Sequence, residues 1–526
     1  MKGDGVAFAR FCAGLPGFFR RPLSPADCRR RLVDGLAERE TSFLHTIEHG
    51  VYGLAGSPYL RLLRHAGIEL GDVRSSVRES GVEGTLERLY DDGIRISLEE
   101  FKGARPITRP GLELPVAPEE FDNPLLAPGR FAGETLGSRG VPRRSLLDLP
   151  HLEQEAVYQW LFLETFSLHD HSLALWRPVL PARAGLKNAV GYAKLGLPVA
   201  RWFSQNRLDW QGGTRREWVA MRTILTASRA FGTAVAKPEH VPLQRGVEVA
   251  RWLAGQAAAG SPALIDTVAS SGVRIGAAAV EAGLDLTGTV LRFGGEPLTD
   301  TKAEVVARSG AKAVCHYSMS ELARVGVACA RPAAVDDVHL LLDKLAFVQR
   351  ERELPGGSGP IGALHLTTLL PSCPKLMLNV EVDDYGVLEE RDCGCAVGEL
   401  GLTLHLRGIR SYSKLTTEGM NYVGDELVTL VESVLPGRFG GSSSDYQLVE
   451  EEVDGLTRVG IVVSPRLGAV DEAAVVEAVL ASLSTGPSYR AMMASIWRDA
   501  GTLRVLRQEP HATESAKVLP LHVSRR

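Results

Sequence analysis

The chain is expected to fold as an α/β protein, a large N-terminal domain of mixed sheets and helices followed by a small, mobile α+β domain. Three observations predict this. At 526 residues it exceeds what one hydrophobic core usually serves. From about residue 260 to 370, the runs ALIDTVASSG, TVLRFGGEPLT, AKAVCHYSMSE and GALHLTTLL alternate short β-like stretches with helical ones, as a sheet with ligand loops at its strand ends would. From about residue 410 the character changes: DYQLVEEEVDGLTRVGIVVSP reads as two strands and DEAAVVEAVLASLS as a helix.

Taken in order, residues 25–100 read as amphipathic helices, with apolar positions three and four apart in DCRRRLVDGLAERETSFLHTIEHGVYG and SPYLRLLRHAGI. Pro and Gly become frequent between about 105 and 150, which marks loops. Residues 151–255 read as mainly helical. The domain boundary is placed at 409, giving units 1–409 and 410–526.

Composition excludes several function classes. With 44% hydrophobic and 23% charged residues and a net charge of −4, nothing favours nucleic acid or an anionic membrane. The N-terminal apolar stretch is interrupted by Asp4 and Arg10 before a signal-peptide core could form. No run approaches the roughly 18 apolar residues of a membrane span. Seven cysteines are too few for a disulfide framework. The chain is read as cytoplasmic, with small molecules or another protein as partners and a homodimer left open.

Three loops carry chemistry. Thr135, Gly137, Ser138 and Gly140 lie in TLGSRGVPR, where small residues let backbone N–H groups close round phosphates and hydroxyls add donors; a surface turn is the alternative. Gly294, Gly295, Glu296 and Pro297 follow the apolar run TVLRF, and glycines at a strand end permit close approach to a flat ligand such as adenine; a plain strand-to-helix turn is the alternative. His316, Tyr317, Ser318, Met319, Ser320 and Glu321 follow AKAVC. There an aromatic ring that can stack on a base precedes a hydroxyl and a carboxylate able to help hold Mg²⁺; a helix-capping Glu321 is the alternative, which the spacing to the other loops disfavours.

In this order the loops resemble those of the adenylate-forming superfamily of acyl-CoA ligases, nonribosomal adenylation domains and luciferases, and most closely its phenylacetate-CoA ligase branch. That branch's phosphate loop reads roughly TSGSTGxP; Leu136 and Arg139 depart from it here. The stretch from Pro262 to Glu321 is similar to the branch's sequence through its GEP loop to its YGxTE motif. The resemblance implies a ribose-holding carboxylate in NVEVDDYG, Asp383 or Asp384, with Asp384 favoured. It implies a ribose- or phosphate-contacting Arg410, with Tyr412 where an aspartate is usual. It also implies that Lys517, in TESAK, bridges carboxylate and α-phosphate, although Ala516 replaces the motif's glycine. Gly294 and Met319 would also border the acyl group, and His171 in FSLHDH is a candidate wall of the acyl pocket, a surface histidine being the alternative.

The implied activity is ATP- and Mg²⁺-dependent conversion of a carboxylic acid to an acyl-AMP, then transfer to CoA or a carrier-protein thiol. Transfer to an amine, as in stand-alone ligases of natural-product pathways, and a non-catalytic scaffold are the alternatives. A structural Zn²⁺ is expected at Cys329, His339, Cys393 and Cys395: three thiols and an imidazole suit a tetrahedral ion, and a CxC pair can aim two thiolates at one point. Members of the branch resemble this set.

Overall fold

The computed structural model describes residues 2–126, 131–135, 143–207, 215–353, 360–411, 414–417, 420–423, 428–485, 488–511, 518 and 520–523, some span ends by backbone alone. The architecture is α/β: a large unit of parallel and antiparallel sheets, and a small C-terminal unit with a mixed sheet.

The parallel sheet is built from β1 (Ser172–Trp176), β2 (Val199–Ser204), β3 (Pro238–His240), β4 (Ala263–Thr267), β5 (Val290–Phe293) and β6 (Lys312–Cys315). Their order across it is β6-β5-β4-β1-β2-β3. Every residue of β4 and of β5 is buried, so helices cover both faces. On one face lie α1 (Leu149–Thr165) and α2 (Ala184–Lys194), on the other α3 (Ala269–Glu281). Alternation along β5 shows the division: Arg292 reaches Tyr192 of α2, while Phe293 packs on Gly272 of α3, where an added Cβ would lie 2.1 Å from its ring. Beyond β5 comes α4 (Asp300–Ala307).

Strand order reverses beside β1. The chain runs outward from β1 to β2 and β3, then crosses back to lay β4 along the other side of β1. The crevice outside the carboxyl ends of β1 and β4 is therefore the topological switch point, where doubly wound sheets place ligands.

The antiparallel sheet comprises β7 (Tyr317–Met319), β8 (Ala323–Ala328), β9 (Val338–Leu340), β10 (Leu345–Glu353), β11 (Pro360–Thr368), β12 (Val380–Glu390) and β13 (Leu404–Ser411). They stand in the order β7-β8-β9-β13-β12-β11-β10. Register places Asp384 opposite Ser411, Tyr385 opposite Arg410 and His339 opposite His405.

The small unit holds β14 (Tyr446–Val453), β15 (Leu456–Val463), β16 (Leu503–Arg507) and β17 (Leu521–Val523), in the order β16-β15-β14-β17, with the helices Glu472–Ser484 and Ser488–Ala500. Asp454 and Gly455, both at positive φ, close the β14–β15 hairpin as a two-residue Asp-Gly turn should. That turn rests on the large unit, and a Cβ on Gly455 would lie 3.3 Å from Val305 of α4 and 3.4 Å from Val273 of α3. Lys302 Nζ donates to Thr457 Oγ1 (3.1 Å) and Thr299 Oγ1 to Glu452 (2.9 Å) across the same contact.

The helices expected over 25–100 form, as do both strands and the helix of the C-terminal segment. Two of the sequence readings gain detail and one, the loop reading of the Pro- and Gly-rich segment, needs correction. Residues 151–255 are mainly helical, as expected, with the short strands β1, β2 and β3 lying among their helices; strands this short and largely buried show no clear two-residue alternation. The Pro- and Gly-rich segment holds two hairpins, Ile107–Arg109 with Leu112–Leu114 and Phe131–Thr135 with Arg143–Leu147. The N-terminal apolar stretch is a helix, Lys2–Arg20, whose Phe11, Leu15, Phe18 and Phe19 are core residues. Residue 409 lies within β13, which stays in the large sheet to Ser411. Among the described residues, no helix is long and apolar enough to cross a membrane.

Candidate functional site

Several of the residues read from the sequence meet at the carboxyl ends of β5 and β6. Gly294 and Gly295 leave β5, Gly295 at φ 91°, and His316 leaves β6 with its N–H on the Phe293 carbonyl (2.9 Å). The two loops touch, and a Cβ on Gly294 would lie 2.3 Å from His316 Nε2, so that position requires glycine. Burial, reinforced by the Arg324, Arg292, Arg177 and Lys187 cations, holds His316 well below the usual imidazole range and keeps it neutral. Its Nδ1 is buried with no hydrogen-bond partner.

From His316 the contacts run on. Tyr317 OH donates to Asp384 Oδ2 (2.8 Å), and Ser411 Oγ donates to Asp384 Oδ1 (2.5 Å). Burial and the Asp384 charge push the Tyr317 phenol well above its ordinary range, so it stays a donor. Asp383 and Asp384, successive residues of β12, point to opposite faces of the strand, and Asp384 is the one joined to Tyr317. Next to Ser411, Arg410 faces Asp336 (Nη1–Oδ2 3.4 Å) with its guanidinium partly exposed. Segments drawn from residues 294 to 411 thus form one line of contacts, Gly294, His316, Tyr317, Asp384 and Ser411, whereas Arg410, opposite Tyr385 in the register, points to the other face of β13.

Other expected residues are placed differently. The Glu296 carboxylate turns inward onto the first turn of α3, taking the Ser270 N–H (2.7 Å) and hydroxyl (2.8 Å), the stabilising position for an anion at a helix N-terminus. The Pro297 carbonyl accepts from Lys302 Nζ (3.2 Å). Ser318 and Met319 lie in β7, and Ser320 and Glu321 in the turn to β8. Thr135 ends its strand opposite Arg143. Gly137, Ser138, Gly140, Tyr412 and Lys517 lie outside the described residues. His171 is not brought to the others: it precedes β1 at the amino end of the sheet, its Nε2 3.2 Å from the Gly288 carbonyl, roughly a strand length of about 15 Å from the loops.

Sequence reasoning passed over a charged layer between the parallel sheet and α1 and α2. Arg292 pairs with Asp266 (Nε–Oδ1 2.8 Å) and donates to Tyr192 OH (2.9 Å), all three groups buried. Glu155 of α1 receives Lys344 Nζ (2.9 Å) and the Arg324 N–H (3.3 Å), with Lys187 Nζ 3.5 Å away. Arg177, the first residue beyond β1, donates through Nη1 to the Gly294 carbonyl (3.0 Å), and its Nε is buried without a partner. Burial lowers the Arg177 guanidinium to about 10 and the Lys187 ammonium to about 8. The available signal was a charge inside an otherwise apolar strand, Asp266 in ALIDT and Arg292 in TVLRF.

The four expected zinc ligands do converge. Cys329 follows β8, His339 lies in β9, and Cys393 and Cys395 occupy the turn from β12 toward β13. His339 Nε2 is 3.1 Å from Cys395 Sγ and 3.6 Å from Cys393 Sγ. His339 Nδ1 lies 2.6 Å from the Leu402 carbonyl, a contact that places the proton on Nδ1 and turns the Nε2 lone pair to the thiols. A hydrogen bond from Cys329, helped by His339, draws the Cys395 thiol far below its ordinary range toward the thiolate that binds metals. A fifth donor, His405, was not foreseen. Ligand atoms of Cys329, His339, Cys393 and His405 lie within 4.8 Å of one another. The His405 Nδ1 side faces Asp337 (2.8 Å), and its Nε2 is buried without a hydrogen-bond partner.

No family model matches the chain, and no curated protein matches it in sequence. Solved structures of adenylate-forming enzymes are similar to it. An open conformation of 2-hydroxyisobutyryl-CoA ligase in complex with 2-HIB-AMP and CoA is 14% identical, over 90% of this chain and 92% of that one, at a TM-score of 0.35. The anthranilate CoA ligase AuaEII in complex with anthranoyl-AMP is 11% identical, over 82% and 74%, at 0.33. A Mycobacterium tuberculosis fatty acyl CoA synthetase is 13% identical, over 74% and 66%, at 0.32. Scores and identities this low leave the function to be read from this chain's own residues.

Proposed function

We propose that the protein is an AMP-forming acid ligase: with ATP and Mg²⁺ it converts a carboxylic acid to an acyl-adenylate and passes the acyl group to CoA or a carrier-protein thiol. The observation that carries this is the line of contacts from Gly294 through His316, Tyr317 and Asp384 to Ser411, with Arg410 next to it in β13. It unites, at the carboxyl ends of a parallel sheet, the segments whose sequence resembles the phenylacetate-CoA ligase branch.

In this reading Gly294 and Gly295 admit the adenine, and the Tyr317 ring stacks on it. Asp384, fixed by Tyr317 and Ser411, accepts the ribose hydroxyls. Arg410 and the 135–140 loop neutralise phosphate charge, Glu321 helps hold Mg²⁺, and Lys517 spans the carboxylate and the α-phosphate. A carboxylate expels oxide badly, whereas its mixed anhydride with AMP expels a stabilised phosphate. The protein's task is positioning and charge neutralisation, with no side-chain nucleophile.

A panel of carboxylic acids in a pyrophosphate-release assay tests this. Acid-dependent AMP and pyrophosphate are expected from the wild type, and Lys517→Ala should lower the rate by roughly 10² or more with Tm unchanged. Adenylation that is absent with every acid, or unaltered by that substitution, counts against the reading. A CoA product against an amide product separates thiol transfer from amine transfer.

We also propose a structural Zn²⁺ on Cys329, His339, Cys393 and Cys395. The convergence of these donors and the Leu402 carbonyl that orients His339 support it. Four protein ligands would leave no open position, so the ion would stabilise the β8–β9 and β12–β13 connections rather than catalyse.

A further inference from the structure

The layer behind Gly294 and His316 holds more positive charge than its carboxylates answer. Arg177, Lys187, Arg292 and Arg324 all bear on His316. The carboxylates within the layer are Asp266, which bonds Arg292 and also acts at longer range on Arg177 and Arg324, and Glu155, shared among Lys187, Lys344 and the Arg324 backbone. Glu296 also acts on Arg177, but its two oxygens bond Ser270 at the start of α3.

A buried guanidinium normally sits against a carboxylate, because an unpaired cation out of water is costly. Arg177, 4% exposed, has instead the Gly294 carbonyl on Nη1 and nothing on Nε. Arg292, 1% exposed, has nothing on Nη1, and Nδ1 of His316 is likewise unpartnered. Arg177 stands where a ligand is expected, since it leaves β1 at the switch point. Gln205, just past β2, reaches back to the Trp176 carbonyl (3.1 Å) and Ser271 Oγ (3.3 Å), and its own carbonyl oxygen is unpartnered. Two unanswered guanidinium donors, Arg177 Nε and Arg292 Nη1, therefore lie buried behind Gly294 and His316, while the Gln205 oxygen beside them is an acceptor.

We infer that the acid activated here carries a second anionic group, held by Arg177 with Lys187, Arg292 and Arg324 behind it. The inference rests on the acid-ligase reading and narrows its substrate class. The carboxylate to be activated would lie by Gly294 and His316, and the distal anion would supply the charge the layer lacks. A guanidinium matches a carboxylate or phosphate with paired N–H groups, so dicarboxylates and phosphorylated acids share the required chemistry.

The test compares matched acids, hexanoate against adipate and benzoate against isophthalate, by AMP release from the wild type, Arg177→Met and Arg177→Lys. The wild type should favour each diacid by about tenfold or more in kcat/KM. Arg177→Met should lose that preference, the diacid rate falling on the order of 10²-fold, while Arg177→Lys keeps part of it. Without ligand, Arg177→Met should be as thermally stable as the wild type or more so, since it removes an unpaired buried charge. A wild-type preference for the monoacids overturns the inference, as does a diacid preference indifferent to Arg177 or a clear loss of stability in Arg177→Met. If no acid yields AMP, titration calorimetry with adipate and isophthalate decides. Binding lost in Arg177→Met sustains the anion site while the ligase reading falls, and absence of binding overturns both.

Discussion

Gly294 shows how one missing side chain shapes the site. His316 can lie across the end of β5 only because no Cβ occupies the point 2.3 Å from its Nε2. Gly294→Ala should therefore displace the ring, cost about 1–3 kcal/mol in denaturant unfolding, and weaken acid binding more than ATP binding. An alanine variant as stable and active as the wild type would show the ring free to move aside. The glycine was legible in the sequence as part of a strand-end loop. Its partner was not, since the contact joins loops from two strands and no local pattern reports which loops meet. Arg177 was illegible for the same reason, its importance arising from where the strand order reverses. Asp266 and Arg292 left a local trace, being charges in strands that are otherwise apolar, but their pairing with each other needed the parallel register of β4 with β5.

At the scale of elements, the cysteine and histidine residues were legible because a CxC pair and soft donors are rare enough to notice. His405 was missed because its role depends on register, which sets it opposite His339 on β13. Protein purified without chelator should contain about one zinc per chain, and Cys393→Ser should lose the metal and stability on the order of several kcal/mol. Metal-free protein of full stability would remove the zinc proposal. The contact between β14 and α4 carries a different dependence. Burial raises the partly buried Glu450 of β14 from 4.5 to about 7, Glu296 and Glu452 adding to it while Lys302 and Arg410 oppose. A carboxyl raised in the docked state favours docking fully below pH 4.5 and loses that contribution as pH rises through about 7. Small-angle scattering should show the molecule expanding over this window and Glu450→Gln abolishing the change; an identical response in that variant would place the effect elsewhere.

For the whole molecule, the division into a large α/β unit and a small C-terminal unit followed from the change of pattern near residue 410, and the two-unit architecture agrees with it. The short strands of residues 151–255 escaped because β1 and most of β2 are too buried to show alternation and β3 is only three residues long. Their recovery matters for function, since without β1 and β2 there is no switch point and no place for Arg177. Together these elements set the contacts proposed to hold the nucleotide against the buried cations behind Gly294, with the small unit resting on α3 and α4. In the proposed reaction this arrangement joins a carboxylate oxygen to the α-phosphorus of ATP. An acid labelled with heavy oxygen in its carboxylate, turned over with ATP and an acceptor thiol, tests that most directly by mass spectrometry. The expected result is a single labelled oxygen in the AMP released and unlabelled pyrophosphate. Label in inorganic phosphate with ADP as the nucleotide product, or thioester formed with AMP left unlabelled, would contradict it.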